Sequence, residues 1–241
     1  VDYTSKPEIS LSSGFYNNSI DVTLSCSSPN SDIFYTLDGS FPTQNSFYYG
    51  STDVDGTTDS DLSINVQETV VLRTVSFSQN PSYLPSFCET NSYFINTQHT
   101  VDVISISGDE VDDLINGDYG NRPVGTIEYF DVDGNLVDEA VGEFNKHGND
   151  SWAYDQRGLD YITRDQYGYN YAINDKIFTT KNRDSFQRLI LKAAANDNYP
   201  ATFGSPAHIR DSYVHSLSQI GDLRMDERSH ESCVLYVNGE Y

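Results

Sequence analysis

Three times in this chain an Asp-Gly or Asn-Gly pair closes a run of β-branched and aromatic residues: Asp38-Gly39 after "IFYTL", Asp133-Gly134 after "IEYFDV", and Asn238-Gly239 after "CVLYV". A tight β-hairpin turn needs positive φ at its centre, and glycine preceded by Asn or Asp supplies it at least steric cost. A chain punctuated in this way is expected to fold mainly as sheet. Further short runs of strand type occupy the first hundred residues: "SIDVTLSC" (19–26), "DIFYTL" (32–37), "TVVLRTVSF" (69–77) and "NSYFIN" (91–96). Turn residues separate them at the spacing of a β-sandwich. Pro42 keeps the chain extended after the first turn, and the Asp-, Gly- and Thr-rich stretch 50–63 reads as a polar loop.

After a short polar linker, "NTQHT" (96–100), the pattern changes. "VDVISIS" (101–107) alternates as a strand, and "DEVDDLI" reads as one short helix. "VGTIEYFDVDGNLVDEAVGEF" (124–144) is two strands around Asp133-Gly134, and residues 158–168 and 186–195 add two more. One longer helix follows. Ser205 is its expected N-cap and Pro206 its first residue, while Ile209, Tyr213, Leu217 and Ile220 keep helical spacing. The fold class is therefore mainly β with some α, divided as a β-sandwich over 1–97 and an α+β domain over 98–241.

Charge narrows the function. Thirty-six acidic residues against 14 basic ones give a formal charge of -22. Such a field repels phosphate backbones and anionic lipid, which excludes a nucleic-acid partner. No apolar run reaches the length of a membrane span, so no membrane insertion is expected. The single methionine is Met225 and the chain opens on Val1, so a processed or trimmed N-terminus and a secreted, extracellular or cell-surface location are expected. Cys26, Cys88 and Cys233 match no zinc spacing. Either Cys26 and Cys88 form a disulfide, as an exported protein allows, or all three are buried thiols.

Two resemblances are carried by particular residues. "PEISLSSGFYNNSIDVTLSC", "IFYTLDGSFPT" and "TVVLRTVSFSQNPSYLPSFCETNSYFI", spanning about residues 7–96, resemble the C-terminal domain of chitobiases and β-hexosaminidases. That likeness implies an Ig-like sandwich without catalytic residues. "IEYFDVDGNL", "GEFNKHGNDSW", "QRGLDYITRDQYG", "FQRLILKAAANDN", "HIRDSYVHSL" and "CVLYVNGEY" resemble, in that order, segments of CotH-like kinases over about residues 101–241. This second likeness implies a secreted atypical protein kinase using ATP and Mg2+ to phosphorylate a protein substrate. In that family the metal-binding and catalytic aspartates follow the Asn-Gly hairpin. The chain therefore resembles the front half of such a domain, truncated and expected to be inactive alone, and no catalytic residue is assigned.

The cations at family-matching positions are Arg157, Lys192 and Arg210, the candidate contacts to ATP phosphates. The family commonly carries lysines where this chain reads Gln156-Arg157, and arginine can grip phosphate bidentately in their place. The competing reading pairs all three with neighbouring acids. Asp131, Asp133, Asn135 and Asp138 raise a Ca2+ reading, but their spacing is not that of an EF-hand and a hairpin accounts for it. Asp53, Asp55, Asp59 and Asp61 are a further weak cation candidate in the long loop. His208 and His215 share a helix face without forming a zinc motif, so no metal site is assigned. Trp152 is either a glycan platform or a residue that packs its loop. Two function classes follow: a CotH-like kinase region, or a non-catalytic structural, adhesion or carbohydrate-associated protein whose partners are neighbouring chains of a surface assembly or glycans.

Overall fold

The computed structural model describes residues 2–50, 62–168, 170–194, 197 and 206–241. The fold is mainly β, a sandwich together with α+β structure. The chain forms two compact units. One comprises Val1–Asp109, Thr126–Glu139 and Val234–Tyr241, the other Glu110–Gly125 and Ala140–Cys233.

In the first unit a five-stranded sheet has the order Gly14–Tyr16, Glu89–Ile95, Val70–Ser78, Ser31–Thr36, Phe47–Tyr49. The second layer is two short ladders, Glu8–Ile9 with Leu24–Ser25 and Ile20–Val22 with Ile64–Val66. Ile33, Leu72, Tyr93 and Ile95 from the sheet meet Val22, Leu24, Ile64 and Val66 from the ladders in one core. The run 19–26, read as one strand, is two. Thr23 separates them, its N–H donating to Ser10 Oγ at 2.9 Å and its carbonyl accepting from Ser10 N at 3.0 Å. The break lets the chain pair with a different partner on each side.

The strand Glu89–Ile95 is buried on both faces. Successive side chains point to opposite sides of a sheet, so Tyr93 and Ile95 enter the sandwich core while Thr90, Ser92 and Phe94 face the other way. There they meet the antiparallel pair Asp102–Ser107 and Val124–Phe130, whose register sets Val103 opposite Phe130, Ser105 opposite Glu128 and Ser107 opposite Thr126. Thr90 bonds Thr126 at 3.1 Å, Ser92 bonds Ser105 at 2.7 Å, and Phe94 packs with Val103, Phe130 and Tyr236. The strand Cys233–Val237 lies beside Asp102–Ser107 in this sheet.

Two of the expected turns are present as drawn from sequence. Asn238 and Gly239 have φ of 49° and 87°, and Val237 and Glu240 exchange backbone bonds of 2.8 and 2.9 Å across them. At the other hairpin Gly134 has φ 83°, and Asp131 Oδ1 accepts the N–H groups of Asp133 and Asn135 at 3.0 and 2.8 Å. Desolvation raises the Asp131 carboxyl, but the Asn135 side-chain bond together with these backbone bonds outweighs it and holds the carboxyl below its usual range.

In the second unit the later part of Leu136–His147 pairs antiparallel with Gly158–Thr163, and that strand with Arg188–Leu191. Phe144 and Tyr161, fully buried, lie opposite each other with ring centres 4.8 Å apart. The short helix is Val111–Asn116, burying Val111 and Leu114. The longer helix is Arg210–Ile220, and it starts later than the sequence suggested. Pro206 is outside it, Ser205 lies outside the described residues, and the positive φ of His208 (60°) interrupts any earlier turn. Among the described residues no helix is long and apolar enough to cross a membrane.

Candidate functional site

The three candidate cations divide into two places. Arg157 sits between the 3-10 turn Asp150–Ala153 and the strand Gly158–Thr163. Its Nε donates to the Trp152 carbonyl at 3.1 Å and its Nη1 to the Ile115 carbonyl at 2.6 Å. Ile115 belongs to the last turn of Val111–Asn116, where carbonyls lack helical partners and a cation is favoured. The guanidinium also stands 5.8 Å from the centre of the Trp152 ring, and Lys146 Nζ lies 5.6 Å from it on its own approach. Trp152 is buried and donates its Nε1–H to the His147 carbonyl at 2.9 Å. It packs its loop, as one of its two sequence readings held.

Lys192 and Arg210 meet at the start of the longer helix. Lys192 Nζ pairs with the Asp211 carboxylate, and Arg210 Nε lies 3.3 Å from Asp197 Oδ1. Asp197 also accepts the N–H groups of Ala207 at 2.9 Å and Arg210 at 3.0 Å. These backbone bonds, Ala207's first, hold its carboxyl below the ordinary range. Lys192 does the same for Asp211. A phosphate approaching this helix would meet a carboxylate already in the anion position. All three cations thus have protein partners, and Arg157 bonds to neither of these carboxylates.

The other candidates are placed as follows. No disulfide joins Cys26, Cys88 or Cys233; the Sγ of Cys26 donates to the Ser5 carbonyl at 3.4 Å and that of Cys88 to the Glu89 carbonyl at 3.4 Å. Cys26 and Cys88 are part-buried and Cys233 is exposed, so the buried-thiol description does not extend to Cys233. Asp53, Asp55, Asp59 and Asp61 lie outside the described residues. Among the described residues no three His, Cys, Asp or Glu side chains are grouped to hold a metal ion.

Sequence reasoning did not find the buried carboxyl of Glu128, nor the half-buried Glu89 and Glu139, in the first unit. Glu128 is 1% exposed. Its Oε1 accepts from Ser13 Oγ at 2.5 Å and from Ser92 N at 3.1 Å, and its Oε2 from Ser92 Oγ. Glu89 pairs with Lys6 close by. Burial pushes Glu128 up to about 7, Glu89 adding to the effect while the serine bonds oppose it. Burial likewise pushes Glu139 up to about 7, with Glu128 and Glu89 raising it further and Lys6 opposing. A signal existed in "GTIEYF": one charged residue inside an otherwise apolar and neutral strand. Alternation alone does not bury Glu128, because nothing local shows that this strand is covered on both sides.

The sandwich has a known relative. Residues 11–84 match the family model of the chitobiase/beta-hexosaminidase C-terminal domain. Neither a curated protein nor a solved structure matches the chain. The chitobiase-type match ends before the strand Glu89–Ile95, so the Ser92 contacts to Glu128 come from a strand outside it, while Ser13 lies within it.

Proposed function

We propose that this chain is a non-catalytic module of a secreted or cell-surface protein, and that it docks a neighbouring copy of itself in an extracellular assembly. The observation that carries the reading is the helix Arg210–Ile220. Its apolar stripe, Ile209, Tyr213, Leu217 and Ile220, faces solvent, with Ile220 82% exposed and Val214 beside it 64% exposed. Leu223 and Met225 continue the exposed apolar surface past the helix end. Burying apolar area contributes roughly 25 cal/mol per Å2, and contiguous exposed patches mark contact surfaces. The likeness of residues 11–84 to an accessory domain supports a modular, extracellular setting. The charge of -22 sets a long-range repulsion between copies, which salt relieves. In light scattering at high protein concentration and raised salt, the chain is expected to self-associate, and a Leu217→Ser/Ile220→Ser double variant to remain monomeric. A parent chain that stays monomeric throughout removes the reading.

A second reading, phosphotransfer of the CotH-like type by a longer domain with ATP and Mg2+, rests on the resemblance of residues 101–241 and requires ATP to displace Asp211 and Asp197 from Lys192 and Arg210. Its test is binding. Titration calorimetry with Mg·ATP should give a heat that Lys192→Ala weakens by about tenfold, the loss of one charged contact being worth about 1.4 kcal/mol. No heat from the parent chain disposes of it.

A further inference from the structure

Among the described residues Arg73 is the one buried cation, 4% exposed and set in Val70–Ser78, the middle strand of the five-stranded sheet. Its surroundings do not match its charge. Nη1 donates to the Gly39 carbonyl at 2.9 Å, and the guanidinium lies 5.6 Å from the centre of the Phe41 ring. Nε is enclosed and has no acceptor, and among the described residues no hydrogen bond takes Nη2. No ion pair among the described residues reaches Arg73, although the chain carries 36 acidic residues. Across the sheet it faces Thr36 and Thr90, both neutral. Their hydroxyls are engaged by the Ser40 carbonyl at 2.6 Å and by Thr126 at 3.1 Å.

The bond to Gly39 accounts for the turn that it holds. Gly39 has φ 75°, and its N–H donates to the Val71 carbonyl at 3.4 Å. That bond does not account for an arginine. A glutamine could donate to the same carbonyl without burying a charge, whereas a guanidinium withdrawn from water needs an opposite charge and acceptors for its other donors. The two nitrogens left over, Nε and Nη2, form the side-on edge of the group, the fork that a carboxylate grips with both oxygens. The nearby acids leave that edge open. Asp38 acts on Arg73 at longer range, its own Oδ1 accepting from Ser40 N at 3.1 Å and Ser40 Oγ at 2.6 Å, and Asp109 Oδ1 accepts the Phe41 N–H at 2.7 Å. One positive charge with two carboxylates in its neighbourhood suits a monoanion better than a phosphate dianion. Phe41 is 44% exposed, so the apolar part of a bound acid has a ring to rest on.

We propose that Arg73 and Phe41 form a binding site for a small organic carboxylate, its oxygens in the fork of Nε and Nη2 and its apolar part against the Phe41 ring. Self-association through the helix Arg210–Ile220 plays no part in it, so the two ideas fail separately.

The probes are benzoate and acetate, titrated into the whole chain in chloride-free buffer and followed by heteronuclear NMR at the assigned Nε–Hε resonance of Arg73. Benzoate is expected to shift that resonance saturably and to bind about three- to tenfold more tightly than acetate, the worth of one aromatic pair. Phe41→Ala should remove this preference and leave acetate binding in place. Arg73→Lys keeps the charge and loses the fork, so benzoate should bind it about tenfold more weakly, read from the Phe41 ring signals. Should Arg73→Lys not fold, the Phe41→Ala comparison, made at an exposed ring, decides. A resonance that benzoate does not move, or that inorganic phosphate moves as far at equal concentration, overturns the proposal. So does a Phe41→Ala chain that keeps the full preference for benzoate.

Discussion

Replacing Phe94 with alanine is expected to destabilise the protein by about 3–5 kcal/mol, the cost of removing a fully enclosed phenyl group and leaving its cavity. The side chain is 0% exposed. Phe15 stacks on it at 4.4 Å between ring centres, while Phe130 and Tyr236 meet it edge-on at 5.3 and 4.8 Å. These rings come from four separated segments of the chain, so none of them can follow the others to fill the gap without moving its own strand. Urea unfolding should show a lowered midpoint with the slope unchanged. A loss below about 1 kcal/mol would mean that the four segments do not share this core.

Stability should also fall as pH rises towards neutrality, the reverse of an ordinary carboxylate-rich protein. Glu128 ionises at an ordinary 4.5 when unfolded and at about 7 when folded. Between those values the folded chain keeps a proton that the unfolded chain has released, so its contribution is present below about 4.5 and lost as pH rises through about 7. A shift from 4.5 to about 7 corresponds to about 3 kcal/mol for this fully buried group. Glu139 moves in the same direction and shares the same field, so the two losses do not simply add. Denaturant midpoints measured from pH 4.5 to 8.5 should decline to about neutrality and then level off. Glu128→Gln should flatten the decline. A parent stability that rises through this range would show that other carboxylates outweigh the cluster.

Much of the local structure was legible in the residues. Asp133-Gly134 and Asn238-Gly239 make hairpin turns because only residues tolerant of positive φ suit those positions, and this is a property of two adjacent residues. The runs around Ile33, Leu72 and Phe94 became strands for an equally local reason. The start of the longer helix was not legible. It is decided by Asp197, which takes the N–H groups of Ala207 and Arg210 from beyond the range of any capping motif. The candidate cations were named from a resemblance, and their partners, the Ile115 carbonyl, Asp211 and Asp197, follow from chain crossings that spacing does not encode.

By itself, the sequence determined the strand-and-turn grammar, the likeness of residues 11–84 to the chitobiase/beta-hexosaminidase C-terminal domain, and a net charge of -22. Those are consequences of backbone preference and summed charge, and they need no knowledge of what lies across the fold. Which faces of the strands are covered was decided only by tertiary structure. Glu128 is an alternating strand residue like many others until Ser13 and Ser92 close over it. The stripe from Ile209 to Ile220 has the spacing of a buried helix face until nothing among the described residues covers it. Burial depends on the arrangement of distant segments, and burial is what pushes the Glu128 carboxyl up and what the stripe from Ile209 to Ile220 lacks among the described residues.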